Sequence, residues 1–542
     1  MAYLAAYDGL RQERSHSSID GSLWAPIHRP LFLGLFIAAF ASNVGTWLQN
    51  VAAAWLMTSL APNALMVGLV QALSGLPVFL FIIPAGALAD LIDRRRLLLF
   101  AQGWMLVTAA LLGVLTVEGL VTPWILLSLT FLLGIGSALT NPAWQASLPE
   151  LVERQELSAA IALNSIQFNL ARAIGPAIGG VLVAAIGAGY AFLINAASFV
   201  GVEAVLCAWH RTVEHSTLPA ERLVGALKAG IRYTRYSPRL TAILVRTGLF
   251  TLGGSALSAL LPLIARYELR IGATGYGELL GLFGLGGVVG GALVPKIRRL
   301  LSRDNTLIAS TMIYAAAMAA LGQHPGIGPA FAVMFIGGAV WVLGMTALNV
   351  SAQIAVPHWV TARALAMYQF MVQGGIALGG LMWGAGASRS SISMALNLAA
   401  LFMVFSLAAA LRYRLPESES FALEPAELMP MPVIGQINSD AGPVMVSIEY
   451  EINPAQTEEF RRAMQALRTI RFRDGAIFWG LFSDFAKPSR YVEYFMVESW
   501  FEHLRQHGRA TDEDSPAFQR VRQFHVGPTP PIVSHQIAAG GS

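Results

Sequence analysis

A single cysteine, Cys207, stands in 542 residues. That excludes an internal disulfide framework and any cysteine-based metal cluster, and the ordinary place for one thiol is a small apolar slot in the interior. Charge is scarce too: Asp, Glu, Lys and Arg make 13% of the chain against 55% apolar residues, and the mean hydropathy is +0.57. Water-soluble domains carry about 25% charged residues, so a bilayer, not water, is the expected solvent for most of this chain. Neither a cofactor nor a nucleic-acid partner is expected. Residues 1–29 contain Arg11, Glu13, Arg14, His28 and Arg29 but no apolar core ahead of a small-residue cleavage site. No removable signal peptide is expected, and the first span is read as its own insertion signal.

What the chain has in abundance is apolar runs of about 20 residues, the length that crosses a ~30 Å hydrocarbon core as helix. They fall near 31–58, 64–89, 97–118, 123–146, 159–186, 189–209, 241–265, 275–297, 305–322, 328–355, 362–386 and 391–411. The expected class is therefore an all-α membrane protein with twelve transmembrane helices. Short cytoplasmic loops hold back Lys and Arg during insertion. Arg94 to Arg96, Arg154, the run from Arg211 to Arg239, Lys296 to Arg303, Arg363, Arg412 and Arg414 all fall on one side, and only Arg266, Arg270 and Arg389 on the other. Both termini are expected in the cytoplasm, and the expected location is the bacterial cytoplasmic (inner) membrane.

The twelve runs divide six and six. GALADLIDR, from Gly86, and GALVPKIRR, from Gly291, share the frame GALxxxIxR at an offset of 205 residues, and Asn141, Gln145 and Pro149 recur as Asn349, Gln353 and Pro357 at an offset of 208. Gln167-Phe168 and Gln369-Phe370 each lead into a glycine-rich turn of helix. Two frames at nearly equal offsets indicate two parallel copies of one six-helix unit. Between them ERLVGALKAGIRYTRY reads as a basic amphipathic helix on the membrane surface. The expected divisions are a tail 1–29, six-helix bundles 30–209 and 240–414 joined by a linker 210–239, a Pro- and Glu-rich linker 415–441, and a soluble domain 442–538.

Twelve spans as six plus six, with a charged G-x-x-x-D-x-x-x-R-R loop after the second, resemble the major facilitator superfamily. Gly86, Asp90, Arg94 and Arg95 fit its signature loop, while Asp93 and Leu91 depart from it. The fifth span, AIALNSIQFNLARAIGPAIGG, is similar to the superfamily's antiporter signature: Gly175, Pro176, Gly179 and Gly180 match, and Ala162 and Ala171 replace glycines. Through NVGTWLQNVAAAWLM and SWFEHLRQHGR the chain also resembles the enterobactin-exporter-like, or transmembrane secretion effector, branch. The resemblance implies export of a small-molecule substrate by proton antiport and alternating access. It also implies that Asp90 latches the two halves in the outward-facing state, near Thr361.

Read from the residues themselves, Gly175 and Gly179, with Gly284, Gly287, Gly291, Gly375, Gly379 and Gly380, offer close-packing faces, and Pro176 can bend its helix. Arg94, Arg95 and Arg96 also serve to anchor a loop at the headgroups. Arg172, Glu203 and Arg246 are intramembrane ionisable residues and thus functional candidates. For Arg172 and Glu203 a structural ion pair stands beside a substrate or proton role. Asn43, Trp47 and Asn50 share one helical face and, with Gln71, Asn141, Gln145, Asn349 and Gln353, suit a cavity for a bulky amphipathic solute. Interhelical hydrogen bonding is the alternative reading of those amides.

Beyond Pro416 the pattern changes. VMVSIEYEI alternates like a strand, TEEFRRAMQALRTI is helical, FWGLFSDF and YVEYFMVES form a strand pair, PAFQRVRQFH is helical and PPIVSHQI closes as a strand. The order resembles an α+β ferredoxin-like domain of the antibiotic-biosynthesis monooxygenase type. His503 and His507, one turn apart beside Trp500, are a candidate metal or haem pair or simply a solvated helix face. Two functional classes follow. In the first the chain is an exporter of a siderophore-like or drug-like molecule, with a regulatory or dimerising C-terminal module. In the second that module is an oxygenase or haem-handling enzyme tethered to a transporter, and an importer or a lysophospholipid flippase is a further transport alternative.

Overall fold

Helices occupy the apolar runs, and local chemistry sets their ends. The computed structural model describes residues 24–153, 155–209, 223–416, 441–509, 511 and 514–538. In chain order the first six helices are α1 (Pro30–Leu60), α2 (Ala64–Leu91), α3 (Arg94–Val117), α4 (Pro123–Leu151), α5 (Leu157–Ile186) and α6 (Ala188–Ala208). A short amphipathic helix, α7 (Leu223–Tyr236), leads to α8 (Pro238–Leu263), α9 (Ala273–Leu300), α10 (Arg303–Leu321), α11 (Ile327–Ile354), α12 (Thr361–Arg389) and α13 (Ile392–Ser406). Side chains of Asn63, Asp93, Thr122, Ser237, Ser302 and Ser391 accept from first-turn amides and so satisfy donors that have no partner inside the helix. Proline at the first position starts α1, α4 and α8, where its missing N–H costs nothing.

Among the described residues, eleven helices are long and apolar enough to cross a membrane. The expected ninth span, seen as α10, is the one outside that set: Arg303, Asp304 and Asn305 fill its first turn and leave a short apolar remainder.

The helices pack in two groups with the same internal pairing. In the first, α1 contacts α5 and α6, α2 contacts α4, and α3 contacts α4 and α6. In the second, α8 contacts α12 and α13, α9 contacts α11, and α10 contacts α11 and α13. The groups meet along two seams, α2 with α12 and α5 with α9.

The C-terminal domain is a four-stranded antiparallel sheet with helices on one face. Its strands are β1 (Val444–Glu451), β2 (Phe478–Ser483), β3 (Arg490–Val497) and β4 (Ile532–Ile537), in the order β2-β3-β1-β4. Between them lie α14 (Thr457–Asp474), α15 (Trp500–Arg509) and α16 (Ser515–Gln523). Register pairs Val446 with Phe495, and these pack with Phe460, Met464, Leu467 and Val521 in one apolar core. Glu493, fully buried in that core, accepts from Arg471 Nε at 3.0 Å, Trp479 Nε1 at 3.0 Å and Tyr450 OH at 3.2 Å. Three donors offset the cost of burying its charge.

The domain is seated on α7 and on the turn before α12. Tyr236 stacks on Phe472 at 5.3 Å, Arg232 pairs with Glu502 at 3.1 Å, and the Arg509 guanidinium lies 4.7 Å from the Trp359 ring. Beneath Tyr233, Arg473 holds Asp474 and Asp514, each at 2.7 Å. Burial opposes the Asp514 carboxylate, but the Arg473 hydrogen bond and charge outweigh it and hold its pKa below the ordinary value. Burial pushes the Tyr233 phenol up to about 12.

Candidate functional site

Where the two groups meet, a cavity of about 560 Å³ opens between them. The first group contributes Trp47, Asn50, Gln71, Ser74, Arg172 and Asn195, and the second Ser255, Tyr276, Tyr314, Trp341, Gln369 and Gln373. Amides, hydroxyls and indoles thus line a space large enough for a molecule of several hundred daltons. Helix α5 positions much of it. Gly175 and Gly179 lie against Trp47 and Leu48 of α1, and Gly180 meets Gly277 of α9, so α5 is packed closely between α1 of its own group and α9 of the other. A Cβ at Gly180 would come within 2.7 Å of the Gly277 Cα, which leaves no room for any side chain. The same arrangement recurs 200 residues on: Gly375 and Gly379 abut Thr251 and Ser255 of α8, and Gly380 meets Gly68 of α2.

Of the amides and tryptophan singled out in the sequence, Trp47, Asn50 and Gln71 line the cavity. Asn43, Asn141, Gln145, Asn349 and Gln353 are outside its lining. Gln353 instead donates to Asn349 at 2.6 Å within α11. Arg172 and Pro176 line the cavity, and Glu203 does not: its Oε1 would lie 3.2 Å from a Cβ on Gly103, in α3. No ion pair joins Arg172 to Glu203 among the described residues. Arg246, 4% exposed, pairs with Asp304 at 3.1 Å and donates to the Tyr413 carbonyl at 3.3 Å, tying α8 and α10 to the segment that follows α13.

In the charged loop, Asp93 caps α3, Arg94 pairs with Glu150 at 2.7 Å, and Arg95 donates to the carbonyls of Leu206 and Cys207 at 2.8 Å. These bonds staple α3 to α4 and α6. The backbone of Gly86 and Asp90 belongs to α2, but the environment of these two residues lies outside the described residues. Cys207 is exposed, contrary to expectation. Outside a membrane bundle the solvent is hydrocarbon, so a small apolar thiol gains nothing by facing inward. His503 is not on a solvated face either: it is 1% exposed, against Trp500 and His535. The His507 side chain lies outside the described residues, and among the described residues no group of three or more His, Cys, Asp or Glu is placed to hold a metal ion.

The two ends of the cavity differ. At the end away from the sheet domain, Gly68 meets Gly380 and Gly384, Gly180 meets Gly277, and Trp55 stacks on Tyr276 at 5.9 Å. Arg266 donates to Thr58 Oγ1 at 2.8 Å and Ser59 Oγ at 2.5 Å, and its guanidinium lies 5.3 Å from the Trp55 ring. Nothing in the sequence singles out this cluster, where Arg266 reads only as a loop charge. The repeated triplets Gly175, Gly179, Gly180 and Gly375, Gly379, Gly380 are the signal for the glycine part of the seal.

The profile of the transmembrane secretion effector family matches residues 21–541. A staphyloferrin A transporter of Staphylococcus aureus is 30% identical over 231 residues, 42% of this chain and 58% of that protein. An enterobactin exporter of Escherichia coli is 30% identical over 241 residues, 44% of this chain and 56% of that protein. The chain thus matches a little over half the length of each. In fold it is similar to the crystal structure of the nucleoside transporter NupG (TM-score 0.57, 12% identity, covering 71% of this chain and all of that one). A bacterial homologue of the lysosomal transporter Spinster in an inward-facing, unoccupied conformation is similar too (TM-score 0.56, 14% identity, covering 71% of this chain and 97% of that one).

Proposed function

We propose that this chain, which belongs to the transmembrane secretion effector family, is a secondary exporter of bulky amphipathic molecules of the siderophore or drug type. It works by alternating access with proton antiport in the bacterial cytoplasmic membrane, as a transporter and not an enzyme. The observation that carries the reading is the cavity of about 560 Å³ between two like-built helix groups, with glycine-to-glycine contact across both seams at one end. Trp47 and Trp341 offer aromatic faces, and Asn50, Gln71 and Gln373 offer neutral hydrogen-bonding groups.

In the same reading α10 is the ninth of twelve spans, 30–209 and 240–414 are the two bundles, and both termini are cytoplasmic. The sealed end then faces outward, and the conformation is inward-facing. Gly86, Asp90, Arg94, Arg95 and Glu203 belong to the coupling and gating machinery. The first turn of α12, which its N-cap residue Val360 does not cap, offers its amides to the Asp90 carboxylate when the other mouth closes. The strand order β2-β3-β1-β4 with intervening helices supports reading the C-terminal region as a ferredoxin-like domain, here a cytoplasmic regulatory or dimerising module.

Everted vesicles containing the chain provide the test. A panel of siderophores beginning with enterobactin should include at least one that accumulates on energisation and discharges the pH gradient. Accumulation insensitive to a protonophore would remove antiport, and no accumulation of any member would remove the export reading.

A further inference from the structure

Arg172 is the only residue with a full charge in the lining of the central cavity, among the described residues. No hydrogen bond or ion pair satisfies it within that set. Tyr314, a neutral phenol, lines the same cavity. The Arg172 arm crosses the seam from α5: a Cβ at Gly287 of α9 would lie 3.8 Å from a guanidinium nitrogen, ordinary contact distance. An unpaired guanidinium at membrane depth is costly to keep, and such groups persist where a ligand meets them. Its planar fork matches a carboxylate with two parallel hydrogen bonds. No aspartate or glutamate in the lining supplies that partner.

Resting on the export reading above, we infer that the transported molecule is an anion whose carboxylate binds Arg172 while its apolar body lies against Trp47, Trp341 and Phe283. Arg172 is rooted in the first group and reaches the second. A carboxylate bound there neutralises the one charge exposed to the cavity at the point where the two groups part.

The test uses the full chain in nanodiscs and two fluorescent probes of nearly one shape, dansylglycine and dansylglycinamide, which differ by the charge of the carboxylate. A charge-assisted pair predicts that the acid binds about 10- to 100-fold more tightly than the amide. Arg172→Gln should bring that ratio to about one, and Arg172→Lys should keep part of it. A second variant guards against misfolding of the first. Phe168→Glu retains the arginine and places a carboxylate one helical turn before it, on the cavity side, and should also erase the preference.

Equal binding of acid and amide by the wild-type chain would overturn the inference, as would a ratio unchanged in well-folded Arg172→Gln. Vesicle uptake of a siderophore alongside such a result would leave the export reading standing. Lysophosphatidylglycerol in place of the probes separates a lipid phosphate from a soluble carboxylate: if it alone binds in an Arg172-dependent manner, the carboxylate assignment falls.

Discussion

At the end of the helix bundle away from the sheet domain, glycine contacts and hydrogen bonds join the two groups; toward the domain end, Phe79 stacks on Phe370 at 4.1 Å across the α2–α12 seam, but the ion pairs of Arg29, Arg94 and Arg246 each stay within one group. The first end is sealed by Gly68 against Gly380, Gly180 against Gly277, and Arg266 against Thr58 and Ser59, all across the seams. At the second, Arg29 pairs with Glu153 and Glu156, Arg94 with Glu150, and Arg246 with Asp304, every pair within one group. The difference teaches where a rocking motion meets resistance. Opening the sealed end forfeits close backbone packing and a set of hydrogen bonds, whereas the ionic ties at the domain end move with their own group and are not broken.

The largest effect is expected at the ties. Arg246→Gln leaves Asp304 buried without its cation, and loss of one partner of such a pair costs about 3 to 5 kcal/mol. Thermal unfolding in detergent should shift accordingly, and Arg246→Gln/Asp304→Asn should recover most of the loss. A single variant as stable as the wild type would break the comparison at its domain end.

A wedge at the seal comes next. Gly180→Val forces a side chain into Gly277 at a cost of about 1 to 3 kcal/mol, or roughly 5- to 150-fold in the balance between sealed and open. With Cys207 replaced by serine, a cysteine at Ser258 in the cavity reports accessibility from the sealed side, which should rise. Gly179→Ala presses on Leu48 within the same group, so it should alter stability and leave accessibility alone.

Arg266→Ala sharpens the same contrast more gently. It removes charge-assisted hydrogen bonds to the buried Thr58 and the exposed Ser59 hydroxyls, about 1 kcal/mol after partial screening. Accessibility at the Ser258 cysteine should increase a few-fold, less than with Gly180→Val, and an effect as large as the wedge would show that the arginine, not the glycine contact, is the seal.

The smallest effect belongs to the domain seat. The folded-state pKa of Asp514 is depressed below its ordinary value of 3.8, because Arg473 outweighs burial. A depressed carboxylate contributes stability above its unfolded pKa and loses it as pH falls through the folded one. The stability difference between wild type and Asp514→Asn, followed by amide exchange in α14, should therefore be flat from pH 8 to 5 and shrink below about pH 4. A difference that instead grows on acidification would mean that Asp474, whose carboxyl burial raises, governs the seat.

Positions along the chain were legible in the sequence, and directions around each helix were not. Apolar length placed the spans, the Gly triplets carried the repeat, and period-two alternation located β1 and the β2–β3 pair. In a bilayer, however, the outside of a helix is as apolar as its packed face. Nothing in the pattern therefore told which side of α4 or α11 faced the cavity, and Asn141 and Gln145, like Asn349 and Gln353, fall outside it although they repeat at a constant offset. Gln49 and Asn195, which bond to each other between α1 and α6, were not singled out: Gln49 lies off the face shared by Asn43, Trp47 and Asn50, and Asn195 stands in an apolar run. Arg246 was visible as an intramembrane charge, but its partner Asp304, 58 positions away, had to be brought by the fold.

The seat formed by Tyr233 and Trp359 sets a timetable for biosynthesis. Both rings are complete in the chain well before Arg473 and Arg509, which cover them, and the strand that closes the domain ends at Ile537. From Pro416 to that strand about 120 residues must still be translated, roughly 6 to 25 s at ordinary ribosome speeds. Throughout that interval an aromatic platform on a finished helix bundle stands uncovered, open to chaperones or to the same platform on a neighbouring nascent chain. A ribosome stalled in the linker after Pro416 would leave behind a bundle that has every span and is nonetheless adhesive.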